Sequence, residues 1–365
     1  MSNRFKSRYD DDINLFEGRW HLAQYALLIA LLLAAPWLLG TYYLGELTAV
    51  LIWSLAGLGL MLISGHTGQV SLGHAAFMAI GAFTNLALMM RGWHFIPALL
   101  ASAVTSGVLG AIISRPILRM SGIYLAIATL ALSIIIEDVS IIAEPITGGV
   151  AGLFAPPIDM FGLKIDRYTS PAAFYYLCLT VLVIVTLGYL NLLRSASGRS
   201  FLAVRDSEVS ARALGVNVAR AKTLSFALSC AMTGLAGALY AHLAQAVNYE
   251  SFLVLIYITL LLQVVIGGLG SVHGAFFGAI VVVLLPQSIA MLRDFLNNTA
   301  GISIAAYPGM DTALFALLIL LMVIYEPRGL YGVWFKVRTW LQLFPLYRKG
   351  MFRRTRTYLK TERQR

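Results

Sequence analysis

The stretch Leu44–His74 reads LGELTAVLIWSLAGLGLMLISGHTGQVSLGH, and it combines the two features that decide the fold. Its first part, residues 44–63, contains one charged residue and is long enough, as a helix of about 20 residues, to cross the hydrocarbon core of a bilayer. Its second part, residues 64–74, is polar and contains three glycines, and a further apolar run follows at once. This pattern predicts membrane-spanning helices that are interrupted by glycine-rich segments.

Composition extends this interpretation to the whole chain. Of the 365 residues, 59% are hydrophobic and 12% are charged, about half the charged share of a soluble domain. Alternating strand patterns are absent, and only helices and closed barrels span lipid. We therefore predict an all-α integral membrane protein. The ten expected spans are residues 22–40, 44–63, 72–90, 95–114, 122–142, 171–193, 223–245, 252–269, 274–292 and 312–325.

The positive charges predict the orientation of these spans. With a cytoplasmic N-terminus, 23 of the 27 lysines and arginines fall on the inner side, as the positive-inside rule requires. Four precede the first span, two follow the fourth, six lie in the loop 194–222 and eleven lie in 328–365. We expect cytoplasmic tails at 1–21 and 326–365, a transmembrane permease domain at 22–325 and an external loop at 143–170. The cationic C-terminal tail is expected to contact membrane lipid rather than nucleic acid.

Three polar segments depart from plain spans. Residues 64–74 are predicted to break the helix at membrane depth, where irregular backbone often forms transport sites; a tight cytoplasmic turn is the alternative. A second glycine cluster occupies Gly267–Gly274. Glu137 lies near the end of the fifth span, which suggests that its carboxylate borders a water-filled opening. The segment Thr147–Leu153 has glycines whose amides could bind a carboxylate, or it is an ordinary external loop.

The internal loop 194–222 predicts a short cytoplasmic helix from Ser207 to Leu214. Asp206 is expected to cap it, and Gly215 is placed to end it. Glu208 and Arg212 form an i,i+4 pair. Leu202, Val209 and Ala213 are expected to face the membrane domain, with Arg205 and Arg212 on the other side. A solvated amphipathic loop is the alternative.

Sequence patterns of catalysis are absent. The chain contains no Gly-x4-Gly-Lys-Ser/Thr phosphate loop, no HExxH and no nucleophile elbow, so we expect neither an enzyme nor ATP hydrolysis by the usual route. The six histidines are scattered, and no metal site is predicted. A secondary transporter or channel would need buried ionisable relays, and the predicted spans hold almost none.

Eight short blocks, in order along residues 50–290, resemble the LivM-type permeases of bacterial branched-chain amino acid ABC importers. The blocks are Gly65–His74 with Phe77 and Gly81, Gly122–Leu125 with Thr129–Leu130, Thr147–Gly149 with Gly152–Leu153, Gly198–Phe201, Ala203–Asp206, Ala213–Asn217, Ala236–Leu239 and Gly267–Ser271.

The resemblance implies a subunit of the bacterial cytoplasmic (inner) membrane that binds no cofactor itself. Its partners would be a LivH-type second permease, a periplasmic binding protein and two cytoplasmic ATPases that use ATP and Mg²⁺. Branched-chain amino acids are the default substrates, while related systems carry urea, short amides or aromatic acids.

The resemblance also implies that residues 206–215 form a coupling helix seated on an ATPase. Its contact residues would be Arg205, Asp206, Glu208, Ala211, Arg212 and Gly215. The family's Glu-Ala-Ala signature, which has glycine six positions after the glutamate, is displaced here by one residue at Glu208. The expected substrate pathway comprises Gly68, Gln69, Ser71, Gly73, His74, Tyr124, Thr129, Glu137, Thr147 and Gly148.

Overall fold

The computed structural model describes residues 19–117, 120, 122–160, 162–300, 310–326 and 328–343, and most of these are helical. The helices are α1 (Arg19–Leu38), α2 (Thr41–Leu60), α3 (His74–Met90), α4 (Phe95–Ile117), α5 (Ile123–Ile142), α6 (Glu144–Thr147), α7 (Pro171–Arg194), α8 (Ala196–Asp206), α9 (Glu208–Ala213), α10 (Val218–Ala244), α11 (Val254–Gly267), α12 (Val272–Ala300), α13 (Met310–Tyr325) and α14 (Gly329–Leu343). A π-helical turn, Met61–His66, extends α2, and a 3₁₀ turn, Tyr249–Phe252, precedes α11.

Short strands occur only near one end of the bundle within the described ranges. β1 (Leu153–Phe154) pairs antiparallel with β4 (Ala246–Val247), and β2 (Ile158–Met160) pairs with β3 (Leu163–Ile165). The sequence did not predict these strands, because two or three residues are too few for a recognisable alternation. The loop 143–170 is therefore partly ordered as strands in an otherwise helical protein.

Seven described segments are long and apolar enough to cross a membrane. They are Thr41–His66, Phe95–Ile117, Ile123–Ile142, Pro171–Arg194, Val218–Ala244, Tyr249–Gly267 and Val272–Arg293. Two shorter apolar helices, Ala23–Leu38 and His74–Met90, accompany them, and α13 has 16 residues. The helical membrane fold is confirmed, whereas the count of ten spans is not, and it stays a prediction.

Helix α10 lies at the centre of the bundle and packs against α2, α3 and α4. Glycines make this packing close. A Cβ on Gly81 would collide with the backbone of Gly234, and a Cβ on Gly237 would collide with the backbone of Met78. In lipid, helices associate through such close backbone contact, because the hydrophobic effect does not drive them together there. Small residues on α10 therefore hold the bundle together.

The two ends of the bundle separate the predicted inner segments from the predicted outer ones. At one end, the Tyr25 hydroxyl lies 2.8 Å from Nε2 of His273, and the Arg205 guanidinium contacts the carbonyl of Gly65. At the other end, the Arg167 guanidinium donates to the carbonyl of Leu243 at 2.7 Å, beside the paired strands. The side of the membrane that each end faces stays a prediction.

Gly237→Ala is expected to lower the stability of the purified protein in detergent, because its methyl group would push α3 away from α10. Overpacking of this kind costs about 1–3 kcal/mol. The matched control is Gly188→Ala on α7, where a Cβ would meet no atom within 4 Å. Thermal unfolding followed by tryptophan fluorescence should show a lower Tm for Gly237→Ala than for the unaltered protein, and an unchanged Tm for the control. Equal Tm values for the two variants would contradict the role of this contact.

Candidate functional site

The polar segment 64–74 forms a buried break between α2 and α3. The helix first widens into the π-turn Met61–His66, a local form that is frequent at functional sites. The polar groups that follow find partners inside the protein. Nδ1 of His66 lies 3.2 Å from the carbonyl of Met61 and 3.0 Å from the Tyr189 hydroxyl, and the Thr67 hydroxyl donates to Leu62. A mostly buried polar segment thus separates α2 from α3, with Gly68 and Val70 at its exposed surface. Its depth in the membrane stays a prediction.

His74 connects the break to two other helices. Its Nδ1 lies 2.8 Å from Oγ of Ser71, and its Nε2 lies 2.6 Å from Oγ of Ser229 on α10. The Ser229 hydroxyl also contacts the carbonyl of Gly59 on α2 at 2.5 Å. Both ring nitrogens of this buried histidine are therefore engaged by serine hydroxyls. This geometry gives His74 a structural role in fixing the break.

Helix α5 presents a polar stripe to the break. The Thr129 hydroxyl accepts a hydrogen bond from the amide of Leu72 at 3.0 Å, and the Ser133 hydroxyl donates to the carbonyl of Leu72 at 3.4 Å. A Cβ on Gly73 would lie 2.7 Å from the carbonyl oxygen of Thr129, so only glycine permits this approach. Residues at spacings of three and four share one helix face, which aligns Thr129 and Ser133 with Glu137 farther along α5.

Farther along α5, Glu137 borders a small cavity. Ser140, Tyr249 and Tyr257 line it together with Glu137. The Tyr257 hydroxyl donates to the carbonyl of Ser133 at 3.5 Å, and this contact joins the cavity to the stripe. The polar face of α5 therefore runs from the break toward the strand-bearing end of the bundle.

The glycine-rich turn after α6 has its amides occupied. The Thr147 hydroxyl donates to the carbonyl of Ser140 at 2.6 Å. The amide of Gly148 donates to Glu144, that of Gly149 donates to the Thr147 hydroxyl, and that of Gly152 donates to Gly148. These three amides are not free for an anion, so the geometry favours an ordered loop over a carboxylate-binding nest.

The structure divides the predicted pathway residues into groups. Ser71, Gly73, His74 and Thr129 meet at the break, and Glu137, Thr147 and Gly148 lie beyond it. The side-chain amide of Gln69 is buried beside the break and has no hydrogen-bond partner among the described residues. Tyr124 is 71% exposed on the outside of α5 and does not join either group.

Sequence reasoning missed Ser133 and Ser229. Ser133 follows Thr129 by four residues, so its place on the stripe could have been found from the helical period. Ser229 lies 155 residues from its partner His74, and nothing local to it signals that contact. Long-range partners of this kind become visible only in the folded structure.

The loop 194–222 forms two helices, α8 and α9, and its N-cap prediction was wrong. Ser207, not Asp206, caps α9: its hydroxyl accepts from the amide of Ser210 at 3.2 Å, and its backbone is extended. Asp206 instead ends α8 and pairs with Arg205, Nε to Oδ1, at 3.3 Å. The end of the helix was predicted correctly, since Leu214 is its C-cap and Gly215 has a φ of +85°.

The predicted inward face of α9 was also wrong. Val209 is 79% exposed and Ala213 is exposed, whereas Ala211 is buried. An ion pair that the sequence analysis missed explains the rotation: Nζ of Lys222, a buried side chain on α10, lies 2.6 Å from Oε1 of Glu208. The predicted Glu208–Arg212 contact is present at 4.0 Å. Since Glu208 must face Lys222, α9 presents Val209, together with Leu214 at 82% exposure, to its surroundings.

Arg205 fixes α8 to the break. Its Nη1 donates to the carbonyl of Gly65 at 3.1 Å. Its side chain crosses Gly68 and Gly270 so closely that a Cβ at Gly68 would lie 2.8 Å from Cγ of Arg205. This guanidinium therefore contacts the helical bundle, although its predicted partner was an ATPase. The two-helix loop is held at two points, by Arg205 at the break and by Glu208 at α10.

Comparisons with known proteins identify relatives over most of the chain. Residues 42–325 match the family model described as branched-chain amino acid transport system / permease component. The LivM permease protein of the high-affinity branched-chain amino acid transport system of Salmonella typhimurium is 32% identical over 326 residues, which cover 83% of this chain and 73% of the relative.

More distant relatives match a similar share of this chain. A probable branched-chain amino acid transport permease protein LivH of Methanocaldococcus jannaschii is 24% identical over 78% of this chain and 90% of its own length. The autoinducer 2 import system permease protein LsrC of Escherichia coli is 23% identical over 78% of this chain and 85% of its own length. No solved structure matches the chain.

Glu208→Ala is expected to loosen α9, because it leaves the buried ammonium group of Lys222 without its carboxylate. Loss of one partner of a buried pair is strongly destabilising, and the partial exposure of Glu208 reduces this to about 1 kcal/mol or more. Amide hydrogen exchange in residues 208–216 should rise by roughly fivefold or more, on that same estimate.

Two variants make this measurement specific. Adding Lys222→Met to Glu208→Ala removes the unpaired charge and should restore much of the protection. Arg212→Ala, which removes an exposed side chain at 4.0 Å from Glu208, should leave exchange unchanged. Equal exchange in Glu208→Ala and Arg212→Ala would show that the buried ion pair does not hold α9.

Proposed function

Because the chain belongs to the family of branched-chain amino acid transport system permease components, we propose that it is a membrane-spanning subunit of an ATP-driven importer of branched-chain amino acids. The observation that carries this proposal is the two-helix loop α8–α9. It exposes Val209 and Leu214 at one end of the bundle while Lys222 and Gly65 anchor it to α10 and the break. Such a loop is suited to transmit force from another subunit.

The proposed assembly contains a second permease, two cytoplasmic ATPases and an extracytoplasmic binding protein. Similarity to both LivM and LivH chains supports the pairing of two related permeases. ATP and Mg²⁺ belong to the ATPases, and this chain acts as a transport subunit rather than an enzyme. We place it in the bacterial cytoplasmic membrane with both termini and the loop 194–222 inside, as the distribution of lysine and arginine favours.

In the proposed coupling step, α9 is seated on an ATPase. Val209 and Leu214, which are 79% and 82% exposed, supply its apolar contact. Approach of the two ATPases on ATP binding moves α9 as a rigid element. The Glu208–Lys222 ion pair transmits the movement to α10, and Arg205 transmits it to the break, which changes the access of the pathway.

The proposed solute route follows the polar stripe of α5. Its inner part lies where Thr129 and Ser133 meet the backbone of Leu72, and its outer part lies at Glu137. The buried side-chain amide of Gln69 beside the break is a further candidate contact for solute. Urea, short amides and aromatic acids are the alternative solutes. A transporter or channel acting alone is not favoured, because the relatives are permease components of transport systems.

Reconstitution tests the function directly. The chain, its second permease, two ATPases and the binding protein in proteoliposomes should take up labelled leucine only with ATP inside and binding protein outside. Gly73→Ala should lower this uptake by roughly fivefold or more, because its methyl group would press on the Thr129 carbonyl, a cost of about 1 kcal/mol or more. Uptake of urea or benzoate in place of leucine would overturn the substrate assignment.

The control for Gly73→Ala is Gly40→Ala, at a glycine with a φ of −66° and no atom within 4 Å of an added Cβ. Its uptake should equal that of the unaltered protein. Both variants should be recovered in the membrane at similar levels. Unchanged uptake in Gly73→Ala would show that the contact between α5 and the break does not lie on the transport cycle.

The coupling role of α9 has its own test. Replacing Val209 and Leu214 together by serine should reduce co-purification of the ATPases by roughly tenfold, because loss of central apolar contacts costs more than about 1 kcal/mol each. Ala213→Ser, an exposed change on the same helix, is the control and should retain the ATPases. Full retention in the double variant would place the ATPase contact elsewhere.

A further inference from the structure

Helix α14 lies within the segment that the sequence predicted as a basic tail, and it packs on the turn between α11 and α12. The Tyr331 ring stacks on His273, with centroids 6.0 Å apart and planes 16° apart. The Trp334 ring lies 6.2 Å from Phe277. Gly329, with a φ of +67°, approaches the backbone of Gly268 too closely for any Cβ. Aromatic contacts and a glycine thus fix α14 to the bundle end that carries α8 and α9.

The side of α14 turned away from these contacts is apolar. Val333, Val337 and Trp340 are 39%, 43% and 46% exposed. They follow one another at spacings of four and three, so they share one face of the helix. Phe335 is also exposed, at 56%. Exposure of such an apolar face to water is unfavourable, so we expect lipid or protein to cover it.

Cations accompany this apolar face. Arg328 precedes α14 and is exposed, and Lys336 lies within α14 with a 65% exposed side chain that also pairs with Glu326 at 2.5 Å. Arg338 lies on the opposite side of the helix, close to Tyr25 and His273. The sequence beyond α14 adds eight lysines and arginines between positions 348 and 365. Only four acidic residues lie in 294–365, and two of them follow Tyr325, so the sequence from 326 onward has a strong positive excess. The occupant that matches such a surface is anionic.

The position of α14 in the chain identifies the kind of surface. Helix α13 exposes Leu317, Leu320 and Ile324 at 51–65%, as expected of a lipid-facing span. Three residues, 326–328, separate α13 from α14, so α14 starts at the boundary of the hydrocarbon layer. Amphipathic helices with aromatic and cationic residues lie in that boundary and bind anionic lipids.

We propose that α14 is an interfacial helix that buries Val333, Val337 and Trp340 in the boundary of the bilayer and binds anionic phospholipid through Arg328 and Lys336. The proposal concerns this chain alone and does not depend on its transport partners. It places a lipid-binding element directly against the Gly268 turn.

The depth of α14 can be measured on the full chain in nanodiscs. The fluorescence of Trp340 is taken as the difference between the unaltered protein and Trp340→Phe. Lipids brominated near the headgroup, at acyl carbons 6 and 7, should quench this difference roughly twofold more than lipids brominated at carbons 11 and 12, since an interfacial helix lies at shallow depth. Aqueous iodide should quench it little. Strong quenching by iodide together with none by brominated lipid would overturn the proposal and leave this face to a protein partner.

The preference for anionic lipid needs a second measurement. Native mass spectrometry of the full chain should show phosphatidylglycerol retained over phosphatidylcholine. Arg328→Gln with Lys336→Gln should reduce that preference by roughly twofold or more, since each cation near the surface contributes. The matched control replaces Arg91 and Arg293, at the other end of the bundle, by glutamine. An equal loss in the control, or no loss in either, would contradict lipid binding by α14. Equal Tm values for the two double variants confirm that each is folded.

Discussion

Close backbone contact between helices, made possible by glycine, is the constraint on which the rest of this structure depends. In lipid, apolar side chains gain little by leaving their surroundings, so helices associate where small residues let their backbones approach. Gly234 and Gly237 on α10 provide these contacts to α3, and Gly59 on α2 approaches the backbone of Ser229 in the same way. A single central helix therefore aligns three neighbours, and the buried polar groups can only then meet their partners.

The break between α2 and α3 exists because other elements satisfy it. Irregular backbone surrounded by lipid would leave amide and carbonyl groups unpaired, at a cost of several kcal/mol each, so it occurs only inside protein. Here Arg205 of α8 binds the carbonyl of Gly65 near one end of the break, and Thr129 of α5 binds the amide of Leu72 near the other end. One residue from the membrane bundle and one from the loop 194–222 thus bind the same short segment. This arrangement is the physical basis of the proposed coupling.

The sequence predicted those features that depend on local pattern. The span 44–63 was found because length and apolarity are properties of the segment itself, and Gly215 was recognised because a left-handed residue ends many helices. The N-cap of α9 was assigned to Asp206 rather than Ser207. Both residue types cap helices well, and only the backbone conformation, which is extended at Ser207, distinguishes them. Its face was misassigned because a tertiary ion pair to Lys222 sets its rotation. Likewise, the charges of the C-terminal segment concealed α14.

The sparse packing of α5 has a mechanical consequence. Its outward side chains, such as Ile127, Ile135 and Val139, are more than half exposed. In contrast, α10 packs closely against α2, α3 and α4, and glycines permit this close contact. Two hydrogen bonds, from the amide of Leu72 to Thr129 and from Ser133 to the carbonyl of Leu72, connect α5 to the break. Each such bond contributes only about 0.5–1.5 kcal/mol. Because these contacts are few and individually weak, α5 is tied less firmly to the bundle than α10, which packs closely against three helices.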